Sequence, residues 1–161
     1  MAAVDYFLKI EGIDGESQDA KHAKEIELQS WSWGESNGGT FAQSAGGGAG
    51  KVAMQDFHFV MTINTASPKL FQACASGEHI PKATLTCRKA GKEQQEFLVI
   101  KFTDLLISSY QTGGSSGDIV PTDQISFNFA SIEIDYKEQK KDGSLGAAIH
   151  GGWDLKKHTK K

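Results

Sequence analysis

The chain is poor in cysteine and proline, has no basic surplus and contains no long hydrophobic run, and each shortage removes a class of protein. Its 161 residues include two cysteines and three prolines. Cys74 and Cys87 fall in segments that read as buried, which suits a reduced, cytoplasmically made chain better than a disulfide scaffold. Seventeen basic against twenty acidic residues leave a formal charge of −3, so there is no electrostatic case for nucleic acid. No stretch approaches the length of a membrane span, and no membrane insertion is expected. The start, Met-Ala-Ala-Val-Asp-Tyr-Phe-Leu-Lys-Ile, lacks a basic n-region, and Asp5 and Lys9 interrupt its apolar run, so it does not read as a signal peptide. Hydrophobic residues at 39% and charged residues at 23% describe one soluble globular domain over residues 1–161. The basic cluster Lys156, Lys157, Lys160 and Lys161 reads as a solvated tail.

Glycine is what the chain has in abundance, eighteen in all. Many of them fall in an extended, proline-free loop at about 34–51, between two strand-like segments, Ile26 to Trp33 and Val52 to Ile63. Hairpin loops are usually a few residues long, and a loop of this length is either a disordered tip or a functional arm. An arm rooted between rigid strands can be ordered by a second surface, most simply a neighbouring copy of the chain.

The remaining periodicity is mostly that of strands. Val4 to Ile10 and Ala83 to Arg88 alternate, with Thr84, Thr86 and Arg88 facing outwards, and Phe57, Phe59, Met61 and Ile63 alternate with polar or smaller residues. Residues 97–109 are apolar on both faces and predict a strand buried on both. Ile26 and Leu28 fall on one face and Trp31 and Trp33 on the other. The phase slips again between Phe129 and Ile132. Such slips predict bulges or strands that turn corners in a closed or sharply coiled barrel. Ser67 as N-cap, Pro68 and the stop at Gly77 predict one short helix, with Leu70, Ala73 and Cys74 as its docking stripe. Residues 11–24 predict a loop containing one helical turn, 113–117 a glycine-serine loop, 140–152 a linker and 153–157 a last edge strand. The expected architecture is all-β, a small barrel or two-sheet sandwich with one helix on its flank.

Catalytic and cofactor chemistry is hard to find. Gly46-Gly47-Gly48-Ala49-Gly50-Lys51 resembles a phosphate loop only at a glance. Ala45 stands where the first glycine belongs, Val52 replaces the magnesium-holding hydroxyl, and a strand follows instead of a helix. The five histidines (His22, His58, His79, His150, His158) show no ligand spacing with one another or with the cysteines, so neither a metal nor another cofactor is expected. His58 reads as a surface or interface histidine, and Cys74 as a packed thiol. The carboxylate pairs Asp14 with Glu16 and Glu133 with Asp135 read as solvated positions with no enclosing cleft. The chain is not expected to be an enzyme. Its apolar and glycine positions exceed what one small core can hide, and burial against identical neighbours would cover them.

Particular stretches also resemble a known family. They include Asp5-Tyr6-Phe7-Leu8-Lys9-Ile10, Gly15-Glu16-Ser17, Trp31-Ser32-Trp33-Gly34, Gly50-Lys51-Val52 with Gln55-Asp56, Cys74-Ala75-Ser76-Gly77, Arg88-Lys89-Ala90-Gly91 and Asn128-Phe129-Ala130. Over nearly its whole length, thinning after Asp142, the chain resembles the haemolysin-coregulated proteins, the tube subunits of bacterial type VI secretion. The resemblance implies a β-barrel with a flanking helix, a homohexameric ring, and rings stacked into a hollow tube. It also implies a spike protein at the tip, a contractile sheath outside, small effector proteins in the lumen, and export without a cleaved signal peptide. On this basis Gly46, Gly47, Gly48, Ala49, Gly50 and Lys51 are candidate subunit and ring-stacking residues, and Ser32 a candidate lumen and effector-binding position. The alternatives are the tail-tube subunit of a contractile phage-like particle, and a monomeric β-sandwich binding module or hydrolase.

Overall fold

Alternating apolar residues build the strands, and the points where the alternation fails are where the sheet turns. The computed structural model describes residues 3–39, 51–89 and 95–161. Its strands, in chain order, are β1 (Val4–Ile10), β2 (Ile26–Glu27), β3 (Ser30–Ser32), β4 (Glu35–Asn37), β5 (Val52–Met54) and β6 (Phe57–Thr62). After α1 (Ser67–Ser76) come β7 (His79–Lys89), β8 (Gln95–Gly113), β9 (Thr122–Tyr136), β10 (Ile149–Asp154) and β11 (Thr159–Lys160). A nine-stranded antiparallel sheet runs β11-β10-β9-β8-β7-β1-β2, with β6 on β9 and β3 on β6, while β4 and β5 form a separate two-stranded ladder.

The expected single strand from Ile26 to Trp33 is two strands, which accounts for its phase slip. β2 pairs with β1 and β3 pairs with β6. At the junction the Leu28 N–H donates to the Tyr6 carbonyl and the Gln29 N–H to the Val60 carbonyl. The chain itself therefore crosses the gap between the two ends of the sheet, which is coiled and is not closed by a lateral ladder. The second expected strand, Val52 to Ile63, is likewise divided: β5 belongs to the small ladder and β6 to the main sheet. The glycine-rich loop thus begins and ends as a paired hairpin.

The second slip lies in β9, and β8 shares it. Ile125, Phe127 and Phe129 are buried, then Ser131 and Ile132. In β8 the buried set is Ile100 and Phe102, then Leu105 and Ile107, a spacing that changes face at Asp104, where φ is +54°. A left-handed residue inside a strand rotates the side chains that follow it. Burial on both faces of residues 97–109 is not found: Phe97, Leu98 and Val99 are half-buried, and Lys101 is exposed. The eight apolar residues between Phe97 and Ile107, interrupted at Lys101, Thr103 and Asp104, serve two halves of a coiled strand.

Inside the coil, Phe57, Phe59, Phe102 and Phe127 are fully buried, and the Phe57 ring meets each of the other three, with Phe57 and Phe102 centroids 4.9 Å apart. α1 docks through Leu70 and Ala73, and Cys74 is half-buried. Gly77 ends the helix in the left-handed conformation, with φ +68°. The N-cap is Ala66 and not Ser67. No side chain caps the first turn; Asn64 closes the turn that precedes it, its Oδ1 accepting the Ala66 N–H at 2.8 Å. Ser67 is freed to donate to the buried Asp123 carboxylate, which also accepts from the Tyr110 hydroxyl at 3.1 Å. The last lysines are not a free tail. β10 and β11 form a hairpin on β9, the Lys161 ammonium lies 2.9 Å from the Ser131 hydroxyl, and Asp154 accepts the N–H groups of Lys156 and Lys157. Residues 149–152 of the expected linker are therefore strand. The expected loop at 113–117 begins one residue later, since Gly113 still pairs with Thr122.

Residues 11–24 contain no helical turn; they are pinned by charge. Arg88, expected to face outwards, is 3% exposed because this loop covers it. Its guanidinium donates to both oxygens of Asp19, at 3.0 and 2.8 Å, and to Asp5 at 3.2 Å. His22 stacks on Phe7 with centroids 4.5 Å apart and sets its two ring nitrogens against Glu25 (2.8 Å) and Glu96 (2.6 Å). Gly15 allows the loop to close on itself, since a Cβ there would sit 2.6 Å from the Glu25 carbonyl oxygen and 2.8 Å from the Ile26 Cα. Both obstacles are backbone. Gly15→Ala is therefore expected to lower stability by between about 1 and 3 kcal/mol, read as a lowered thermal midpoint with an unchanged far-UV spectrum.

Candidate functional site

Ser32 stands at the margin of a distinctive surface. It is exposed, as is Ser30, while Trp31 between them turns inwards and stacks on Phe57 at 5.9 Å. Register carries Ser32 to His58, His58 to Ser126 and Ser126 to Ser109. The next row runs Ser30, Val60, Gln124 and Gln111. Neither row contains a charged residue. His58 is half-buried on this face and its Nδ1 lies 3.0 Å from the Ser126 hydroxyl. This part of the outer face thus presents hydroxyls and amides, with one imidazole and one valine among them, spread over four strands of one coiled sheet. Hydroxyls and amides bind water well, yet lack the fixed charge that would hold a passing protein by long-range attraction.

Beyond the corner at Asp104 the outer face changes character. Lys101 pairs with Glu133, and Val99 with Asp135, which in turn faces His150. The His150 Nδ1 is 2.8 Å from Asp135 and its Nε2 is 2.8 Å from the Lys161 carbonyl. The Lys161 carbonyl, with help from Asp135 and Glu133, raises the His150 pKa above its ordinary value. The pair Glu133 and Asp135 therefore anchors the C-terminal hairpin. Glu16, in the other pair, accepts the Thr65 N–H at 2.9 Å.

The thiols fit packing roles. Burial pushes the Cys87 pKa up to about 12, far from forming a thiolate at neutral pH. Among the described residues no group of three or more His, Cys, Asp and Glu could hold a metal ion, and no helix is long and apolar enough to cross a membrane. Of the candidate assembly residues, Gly46, Gly47, Gly48, Ala49 and Gly50 lie outside the described residues. Lys51 is exposed just before β5, at the root of the arm. Large apolar side chains remain exposed at both ends of β9. Ile63, Ile119 and Val120 are near its start, and Tyr136 and Ile149, a register pair, are at its far end. The charged lock of Arg88, Asp19 and His22 went unrecognised in the sequence; the spacing of 69 residues between Asp19 and Arg88 carries no local signal.

The coiled sheet thus carries a patch free of Lys, Arg, Asp and Glu on its outer face, and exposed apolar side chains at both ends of β9. Comparison with known proteins gives the family. Residues 7–136 match the family model described as the type VI secretion system effector, Hcp. Protein hcp1 of Pseudomonas aeruginosa is 45% identical over 159 residues, spanning 98% of each chain. The solved Hcp1 of Salmonella typhimurium superposes with a TM-score of 0.84 at 40% identity, covering 99% of this chain and 100% of that one. Another structure, described as a type six secretion system protein, reaches 0.93 at 32% identity with the same coverage. The chain belongs to the Hcp family of the type VI secretion system, whose members are secreted structural proteins and not enzymes.

Proposed function

We propose that the chain is the tube subunit of a type VI secretion apparatus. Six copies close a ring, rings stack, and the resulting hollow tube leaves the cell beneath a spike when a surrounding sheath contracts. In this reading the uncharged face around Ser32 lines the lumen, where small effector proteins ride. The arm that carries Gly46–Gly50 and ends at Lys51 makes subunit and ring-stacking contacts. The observation that carries the proposal is the pair of charge-free rows, Ser32-His58-Ser126-Ser109 and Ser30-Val60-Gln124-Gln111, crossing four adjacent strands. A sheet face that only met solvent would not need to avoid Lys, Arg, Asp and Glu over that extent, whereas a channel that must release its cargo gains from doing so.

Light-scattering mass together with negative-stain imaging tests the assembly, with a six-copy ring expected and a monodisperse monomer refuting it. Ser32→Arg tests the lumen. Rings are expected to form as in the parent, while co-purification of a small effector falls at least about tenfold, the scale of a 1.4 kcal/mol change. Ring loss in that variant would place Ser32 in a subunit interface instead.

A further inference from the structure

One end of the core is left open by the chain's own described residues. Between the β4–β5 ladder and the strands β9 to β11 lies a groove of about 1180 Å³, walled by Trp33, Met54, Ile134 and Trp153 and edged by Lys51, Lys160 and Lys161 against a single carboxylate side chain, Glu35. Trp33, Met54 and Ile134 pack directly against the buried core, so the groove continues the core outwards. Just outside it, Ile149 is 70% exposed and pairs in register with Tyr136. A concave apolar surface that opens from the core and carries more lysine than carboxylate at its edges calls for an apolar occupant with an acidic group beside it.

The same chain offers such an object, convex and already shaped. Ile119 is 99% exposed and Val120 follows it, in the turn after β8. Asp118 holds this turn in place: its N–H donates to the Ser115 carbonyl at 3.0 Å, and its carboxylate accepts the Ser115 N–H at 3.2 Å. At the turn's exit the Ile63 N–H donates to the Pro121 carbonyl at 3.0 Å. An ordered turn presents its isoleucine with little further loss of entropy on docking. Knob and groove stand at opposite ends of the fifteen-residue strand β9, so they cannot meet within one chain.

We propose that the Asp118–Ile119–Val120 turn of one copy seats in the groove of the next. Ile119 fills the space against Trp33, Met54 and Trp153, and the Asp118 carboxylate faces Lys51 and Lys160. Knob and groove are different surfaces, so the contact is head-to-tail and repeats around a ring or along a stack. The inference rests on the self-assembly reading above and adds to it the identity of the contacting segments.

The test uses the full chain with Cys74→Ser, so that no half-buried native thiol competes. One preparation carries Ile119→Cys, a second Ile149→Cys beside the groove, and mild oxidation follows mixing. A crosslinked dimer from the mixture and from neither preparation alone supports the contact. In parallel, Ile119→Asp should leave the thermal midpoint of the dilute, unassembled chain unchanged, because the side chain is exposed there. It should also raise the concentration needed for assembly at least tenfold, and leave an Ile149→Cys thiol open to maleimide. Unaltered assembly of Ile119→Asp without a mixed crosslink overturns the proposal while the tube reading stands. Assemblies of Ile119→Asp in which the Ile149→Cys thiol stays protected also overturn it, since something else then fills the groove. A parent chain that stays monomeric at every concentration removes both.

Discussion

Phe57→Ala is expected to cost between about 3 and 5 kcal/mol, the range for removing a buried phenylalanine when the surroundings relax only in part. Phe57 is 0% exposed, and its ring lies within 6.1 Å, centroid to centroid, of Phe59, Phe102 and Phe127. It also stacks against Trp31. Those contacts come from β3, β6, β8 and β9, so the cavity would open where four strands converge and none could move in without breaking its ladder. Domain stabilities are typically only about 5 to 15 kcal/mol, and such a loss removes much of the margin. Urea unfolding followed by tryptophan fluorescence measures it directly. Phe71→Ala is the matched control: Phe71 is 59% exposed on α1, and its loss should cost under about 1 kcal/mol. Similar midpoints for the two variants would show that the four-strand junction is not the centre of stability.

Arg88→Met should be nearly as damaging, by about 3 kcal/mol, near the low end for breaking a buried ion pair because Asp5 and Asp19 keep some contact with water. The guanidinium also lies 4.8 Å from the Phe7 ring centroid, so the methionine loses a cation–π contact as well as the fork. Arg88→Lys, which keeps the charge but not the two-pronged geometry, should recover less than half of the loss. The same pair sets an acid limit. Donation from Arg88 chiefly, aided by the backbone N–H groups of Lys21 and His22 and opposed by burial, holds the Asp19 carboxyl well below its ordinary pKa of 3.8. A carboxyl depressed on folding binds more protons in the unfolded chain. Its stabilisation is therefore complete above pH 3.8 and drains away as the pH falls below that value. Urea midpoints between pH 6 and pH 2 should decline more steeply for the parent than for Asp19→Asn. Parallel declines would show that Asp19 is not the group responsible.

How much of this could be read beforehand depended on whether a residue's role was local. Alternation from Phe57 to Ile63 and from Gln124 to Phe129 named Phe57, Phe59 and Phe127 as core residues, because a strand with one buried face writes its period directly into the chain. Gly77 marked the helix end for a similar reason, since its left-handed backbone favours glycine. Ser67 carries the local signature of a cap, yet its partner is Asp123, 56 residues away. Arg88 sits at an outward position of its strand's alternation, yet is covered by a loop whose polar, aperiodic sequence gives no sign of it.

From the order of residues alone came the all-β class, the single helix, the two places where strands change face, the family and the exposed serine between two tryptophans. Tertiary structure decided what the face changes accomplish: one passes a strand from β1 to β6, and the other swings β8 and β9 around a left-handed aspartate. It also turned the terminal lysines into a hairpin and aligned separate serines, glutamines and a histidine into an uncharged surface. Periodicity shows which side of a strand is buried, because hydrophobicity acts residue by residue. Which strands lie side by side, and so which polar residues share a face, follows from register between distant segments, which is set by packing when the sheet coils.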